Sequence, residues 1–172
     1  MDLSKKIRDI PDFPKKGIIF KDITTLLQDP AAFKDSVDLF YERYKDKDID
    51  VIVCAEARGF IFGAPLAYLL GASFVPVRKP GKLPSACIEA SYEKEYGTDT
   101  LCMHKDAIKP GQKVLIIDDL LATGGTVHAM CELVEKLKGK IVEIAFLIEL
   151  DFLKGREKIN YPVYSKLHYS GE

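Results

Sequence analysis

The sequence predicts an α/β fold in which a mainly parallel sheet is flanked by helices. Three apolar runs rich in β-branched residues carry that expectation: "VIVCA" (51–55), "VLII" (114–117) and "IVEIAFLIEL" (141–150). Such runs suit strands buried on both faces. The first two end in a glycine-containing turn that opens a helical pattern. Strand, turn, helix and strand in that order make a β-α-β unit, which pairs its strands in parallel through a right-handed crossover. At 172 residues the chain is long enough for one full hydrophobic core, and a single domain over 1–172 is expected.

In chain order, "DPAAFKDSVDLFYERY" supplies Asp29 as an N-cap and Pro30 at the first helical position, with Phe33, Val37, Phe40 and Tyr44 on one face. Residues 59–77, "GFIFGAPLAYLLGASFVPV", lack charge and approach the length of a membrane span. Their glycines and prolines divide them into a helix near 60–70 and a strand near 73–77, with Gly71 as the stop, so no membrane association is expected. Residues 79–98, "KPGKLPSACIEASYEKEYGT", are the least regular and read as a long loop. After the strand at 114–117, Val127, Met130, Val134 and Leu137 define a helix face. Lys136 and Lys138 lie near its negative end, and Gly139 closes it.

Lys and Arg number 25 against 26 for Asp and Glu, and the net charge of -1 offers no bulk attraction to nucleic acid or an anionic membrane. Any anion site must be local. Cys54, Cys87, Cys102 and Cys131 form no C-x-x-C pair, and the opening "MDLSKKIRDI" lacks the apolar core of a signal peptide. A cytoplasmic location and inert thiols follow as expectations. His104, His128 and His168 show no metal-ligand spacing and are read as noncatalytic.

"VLIIDDLLATGGT" (114–126) places Asp118 and Asp119 just before a glycine-rich turn. In a parallel sheet, ligands collect at the carboxyl ends of strands. Ala122, Thr123, Gly124, Gly125 and Thr126 let backbone N–H groups and hydroxyls converge on a phosphate at a helix start. Ionised Asp118 and Asp119 only accept hydrogen bonds, so they repel that phosphate but suit hydroxyls a few ångströms away. A phosphorylated sugar satisfies both. A second anion site lies at "CAEARGFIFG", where Arg58 offers a multidentate donor and Gly59 permits close backbone approach, suiting a diphosphate. The bland alternative there is a surface ion pair between Arg58 and Glu56. Arg78, Lys79 and Lys82 in "RKPGKLPS" concentrate positive charge able to neutralise a leaving diphosphate, with Gly81 letting the segment move.

The stretch "DDLLATGGT" resembles the phosphoribosyl-diphosphate motif of type I phosphoribosyltransferases, and of their adenine branch in particular. "EARGF", "RKPGKLPS", "SYEKEYG", the early "FPKKGIIFKDITTLL" and the late "ELDFLKGREKI" match further segments of that branch in its order. The resemblance implies a Rossmann-like type I phosphoribosyltransferase fold with a small N-terminal hood and a flexible catalytic loop. It implies transfer of the 5-phosphoribosyl group from 5-phosphoribosyl 1-diphosphate to N9 of adenine, assisted by Mg²⁺ held mainly through the diphosphate. Glu95 would move a purine proton with Tyr96 beside it, while Arg58 and Lys82 serve the diphosphate. Ile19, Phe20 and Lys21 would wall the base, Lys21 through its backbone alone because it replaces the branch's arginine. Leu150 would touch the base, and Arg156 and Lys158 would be structural. The resemblance also implies a homodimer, Arg78 reaching a neighbouring site, and a cis peptide at Glu56-Ala57.

Oxo-purine enzymes are the nearest alternative. Hypoxanthine and guanine enzymes carry a carboxylate where this chain has Ala122, whereas related xanthine enzymes share the Asp-Asp pair and stay open. A regulatory sensor that kept the fold also stays open, although the chain has no basic imbalance.

Overall fold

A computed structural model describes residues 1–94 and 96–171. A 3-10 turn (Leu3–Lys6) leads to a hairpin of β1 (Arg8–Ile10) and β2 (Phe20–Asp22). Then come α1 (Thr24–Gln28), α2 (Pro30–Tyr44), β3 (Val51–Ala55), α3 (Arg58–Leu70) and β4 (Ser73–Val77). A second hairpin joins β5 (Cys87–Glu93) to β6 (Thr98–His104). It is followed by β7 (Lys113–Leu121), α4 (Gly125–Lys136), β8 (Lys140–Leu150), 3-10 turns at Asp151–Leu153 and Gly155–Lys158, and β9 (Val163–Tyr169).

The main sheet has five strands in the order β4-β3-β7-β8-β9, and every neighbouring pair is parallel. Alternation along the strands builds a core on each face. Val51, Val53, Val114, Ile116, Ile144 and Phe146 pack with Val127, Met130 and Val134 of α4 and with Ala90, Leu101 and Met103 of the second hairpin. Ile52, Cys54, Leu115, Ile117, Ala145 and Leu147 pack with Phe40 of α2 and with Phe62 and Leu66 of α3. The parallel sheet and flanking helices expected from the apolar runs are therefore present.

Helix α2 starts as its sequence dictates, with Pro30 in the first turn and the Asp29 carboxylate accepting from the N–H groups of Ala31 (3.0 Å) and Ala32 (3.2 Å). Its far end is tied to β8 by buried Glu143, which accepts from Arg43 Nε (2.8 Å), Arg43 Nη2 (2.9 Å) and the Tyr44 hydroxyl (2.6 Å). Pro65 is accommodated inside α3, and Gly71, at φ 66°, ends the helix in the left-handed region.

Two local expectations are corrected. The loop expected over 79–98 contains strand β5, because "CIEASYE" alternates and turns Ala90 and Tyr92 toward the core while Glu89, Ser91 and Glu93 face out. Helix α4 ends at Lys136, and Lys138 rather than Gly139 takes the left-handed conformation. Gly139 serves close packing instead, since a Cβ there would stand 2.8 Å from Val134 Cγ1. Among the described residues no helix is long and apolar enough to cross a membrane.

Candidate active site

Strands β3 and β7 are neighbours, but β3 runs into α3 on one face of the sheet and β7 into α4 on the other. That divergence is the switch point where parallel α/β sheets open a crevice at their carboxyl ends. Both helices begin without a side-chain cap, unlike α2. Their first N–H groups and positive dipole ends are thus left for an anion.

The turn between β7 and α4 has the shape of a cradle. Gly124 sits at φ 90°, a conformation that L side chains rarely adopt, and forms the N-cap of α4. A Cβ at Gly124 would lie 2.9 Å from the Gly155 carbonyl oxygen, and one at Gly155 would lie 2.3 Å from that of Ala122. The cradle is backed by the 3-10 turn of the late "LKGR" segment. Gly59, at the start of α3, would bring a Cβ 3.0 Å from Asp118 Oδ1 and 3.3 Å from the Ile117 carbonyl. Its missing side chain lets the loop after β3 approach the acidic pair.

Arg58 does not pair with Glu56. Its Nε lies 3.0 Å from Asp119 Oδ2, and its guanidinium stands 5.2 Å from the centroid of the Phe20 ring. Glu56 instead accepts from the Lys79 backbone N–H (2.7 Å) and faces Arg78 at 3.4 Å. Sequence adjacency suggested the first pairing, whereas the side-by-side strands β3 and β7 dictate the second. Between them, the Glu56-Ala57 peptide is cis. Burial pushes the Asp118 carboxyl well above the usual carboxylate range, and the neighbouring Asp119 carboxylate adds to the effect. Asp118 Oδ1 accepts the Asp119 backbone N–H at 2.8 Å.

These loops bound a cleft of about 460 Å³, within the range of small-molecule sites. Its lining brings together Glu56, Ala57 and Arg58 from the β3 loop, residues 118–127 from the β7 turn, Phe146 of β8, and Tyr92, Glu93 and Lys94 from the second hairpin. Asp118, Asp119, Ala122, Thr123, Gly124, Gly125, Thr126 and Arg58 thus line one cleft.

Other expected residues surround the lining without joining it. Gly59 is buried behind it. Lys79 pairs with Asp99, and Lys82 is exposed. Tyr96 is 82% exposed, with the Lys15 ammonium of the hood 6.0 Å from its ring centroid. Ile19 and Phe20 are half-buried in the hood, where Phe13 packs edge-on to Phe20 at 5.2 Å. The Lys21 side chain is committed elsewhere, 2.7 Å from Asp9 Oδ1 and 4.2 Å from the centroid of the Tyr169 ring. Leu150, opposite Tyr169 in the β8–β9 register, packs against the α2–α3 core. Arg156 clamps Glu149 through Nε (3.0 Å) and Nη2 (2.5 Å) and donates to the Val163 carbonyl (2.9 Å), joining the end of β8 to β9. Glu95 lies outside the described residues.

Two contributors carried signals that the sequence reading left unused. Gly155 stands inside the quoted "ELDFLKGREKI", and Tyr92 is the first tyrosine of "SYEKEYG". Tyr92 covers the cradle from the hairpin side, where a Cβ on Gly125 would stand 2.6 Å from its Cδ2.

A doubly uncapped switch point holding a glycine cradle, an acidic pair and an arginine suits a ligand that carries both phosphate and hydroxyl groups. The phosphoribosyl transferase domain matches residues 22–168, and the chain belongs to that family. Within it the chain stands with the adenine phosphoribosyltransferases. It is 62% identical to adenine phosphoribosyltransferase of Clostridium tetani, over 98% of this chain and 99% of the relative. The crystal structure of adenine phosphoribosyltransferase from Thermoanaerobacter pseudethanolicus superposes with a TM-score of 0.94 at 54% identity, covering 98% of both chains. That of Saccharomyces cerevisiae, complexed with D-2,5-dideoxy-2,5-imino-altritol 1,6-bisphosphate and adenine, gives 0.92 at 46% identity, covering 96% of this chain and 97% of the other.

Proposed function

We propose that this chain transfers the 5-phosphoribosyl group from 5-phosphoribosyl 1-diphosphate to N9 of adenine, releasing AMP and diphosphate in purine salvage. The observation that carries the reading is the contact of Arg58 with both Asp119 and Phe20. One residue thereby joins the diphosphate loop, the ribose-facing carboxylates and the aromatic wall of the hood.

The cradle from Ala122 to Thr126 holds the 5-phosphate through backbone N–H groups and the hydroxyls of Thr123 and Thr126. Asp118 and Asp119 accept from the ribose hydroxyls, which rewards the ionised form of Asp118 that burial disfavours. Arg58 shifts from Asp119 toward the departing diphosphate, with Arg78, Lys79 and Lys82 adding positive charge. N9 attacks an anomeric carbon that has gained oxocarbenium character, so fixed positioning and charge stabilisation dominate. Glu95 handles the purine proton, Tyr96 lies beside it, and the hood and hairpin exclude water. Ile19 and the Lys21 backbone edge the base beside Phe20, and Leu150 bounds it from the end of β8.

Mg²⁺ would be held mainly through the diphosphate of the substrate, and the hard carboxylate oxygens of Asp118 and Asp119 would suit such an ion nearby. When bound, Mg²⁺ supplies charge neutralisation at the diphosphate.

A homodimer fits the same reading. Residues 59–70 carry no charge, Tyr68 is 86% and Leu69 43% exposed on α3, and the adjoining β4 is an edge strand. A second copy would cover that apolar face. The four free cysteines accord with a cytoplasmic location, and the near-neutral charge accords with small-molecule partners rather than nucleic acid or membrane. Steady-state rates with adenine, hypoxanthine, guanine and xanthine test the activity. The reading expects AMP formation to dominate; preferred use of an oxo-purine contradicts it.

A further inference from the structure

The Tyr92 hydroxyl lies between the cradle and the basic segments. It accepts from Thr126 Oγ1 at 3.1 Å and donates to Asp99 Oδ2 at 3.2 Å. Asp99 also holds the ammonium groups of Lys79 and, at 3.3 Å, Lys94. These partners keep its carboxyl low, at about 2, with the Lys79 hydrogen bond the largest cause. Lys79 in turn donates its backbone N–H to Glu56 in the diphosphate loop. A continuous chain of polar contacts therefore runs from the 5-phosphate cradle, through the second hairpin, to the opposite anion loop.

We propose that Tyr92 is a positioning residue that couples occupancy of the 5-phosphate cradle to the placement of Lys79 and Lys94 for the diphosphate. The proposal rests on the phosphoribosyltransferase reading of the cleft. Its physical basis is the single proton of the Thr126 hydroxyl, which goes either to Tyr92 or to a phosphate oxygen, never to both. A phosphate in the cradle takes that proton and leaves the Tyr92 oxygen without its donor. The hydroxyl then re-partners, and its hold on Asp99 changes with it. Asp99 balances two cations, so a change in its third partner is passed to both lysines. The ring covering Gly125 keeps the hydroxyl in place while this happens.

The test measures diphosphate affinity by calorimetry with and without saturating ribose 5-phosphate, in the full chain with Mg²⁺. The wild type is expected to bind diphosphate roughly three- to tenfold more tightly when ribose 5-phosphate is present, the scale of one net hydrogen bond. Tyr92→Phe keeps the ring and removes the hydroxyl. It should bring that ratio near one, whatever its effect on the affinity for each ligand alone. Asp99→Asn should also lower the ratio, and the double variant should lose no more than Tyr92→Phe, as residues in one network do. A wild-type ratio of one, or an unchanged ratio in Tyr92→Phe, overturns the coupling. AMP formation by the wild type is assayed in parallel. Its absence alone counts against the enzymatic reading, because the coupling is read from binding.

Discussion

Replacing Gly124 by alanine should damage the cradle in two separable ways. At φ 90° the added Cβ meets the following carbonyl, a left-handed penalty of about 1–2 kcal/mol. It also stands 2.9 Å from the Gly155 carbonyl oxygen, backbone that cannot swing aside like a side chain, and overpacking of this kind costs about 1–3 kcal/mol. Gly111 provides the control, with φ 84° and nothing within 4 Å of a built Cβ. Gly111→Ala should carry only the conformational part. A chain of this length loses about 2–4 °C of melting temperature per kcal/mol, so Gly124→Ala should melt roughly 2–12 °C below Gly111→Ala. Calorimetric scans of both variants read the difference, and steady-state kinetics should show a raised KM for 5-phosphoribosyl 1-diphosphate only in Gly124→Ala. Equal melting temperatures would refute the claim that the Gly155 turn backs the cradle.

Three further outcomes are expected. Asp118 has a folded-state pKa raised above 3.8, so the native state binds the extra proton and loses stability as pH rises from about that value through the folded one. Asp118→Asn removes this penalty: it should melt higher than the wild type at neutral pH, lose that gain below the unfolded value, and bind 5-phosphoribosyl 1-diphosphate less well. A lower neutral melting temperature would show that the carboxylate is not held at a cost. Glu95→Gln should lower kcat by roughly 10²–10⁴-fold, the range of general acid–base contributions, with 5-phosphoribosyl 1-diphosphate affinity kept; unchanged single-turnover chemistry removes Glu95 from proton transfer. Tyr68→Glu should shift sedimentation toward a monomer, and an unaltered dimer would place the interface elsewhere.

Much of the architecture was legible because buried parallel strands and capped helices leave strong local patterns. The run at 51–55, the Asp29 and Pro30 helix start and the Gly71 stop each appear where the residues place them. Strand β5 was hidden because the prolines and charges flanking it weighed more than its clean alternation. Strand β9, "VYSKLHY", lies at a sheet edge with buried Ser165 and exposed Lys166 and His168, so it has no continuous apolar run. The cradle itself was legible because phosphate binding by backbone demands glycine at fixed positions. Its supports were not, because Gly155 and Tyr92 reach it only through tertiary packing. The Arg58 partner was hidden for the same reason, since Asp119 is distant in sequence and adjacent only across β3 and β7.

The central claim is that the acidic pair and the glycine turn address different parts of one molecule, hydroxyls and phosphate. Calorimetric titration of the wild type and of Asp118→Asn/Asp119→Asn with inorganic phosphate and with ribose 5-phosphate tests it directly. The wild type should prefer ribose 5-phosphate by at least roughly tenfold, the scale of two hydrogen bonds to charged acceptors. The double variant should lose that preference while holding inorganic phosphate at least as tightly. Equal wild-type affinities for the two ligands, or a preference that survives removal of both carboxylates, would contradict it.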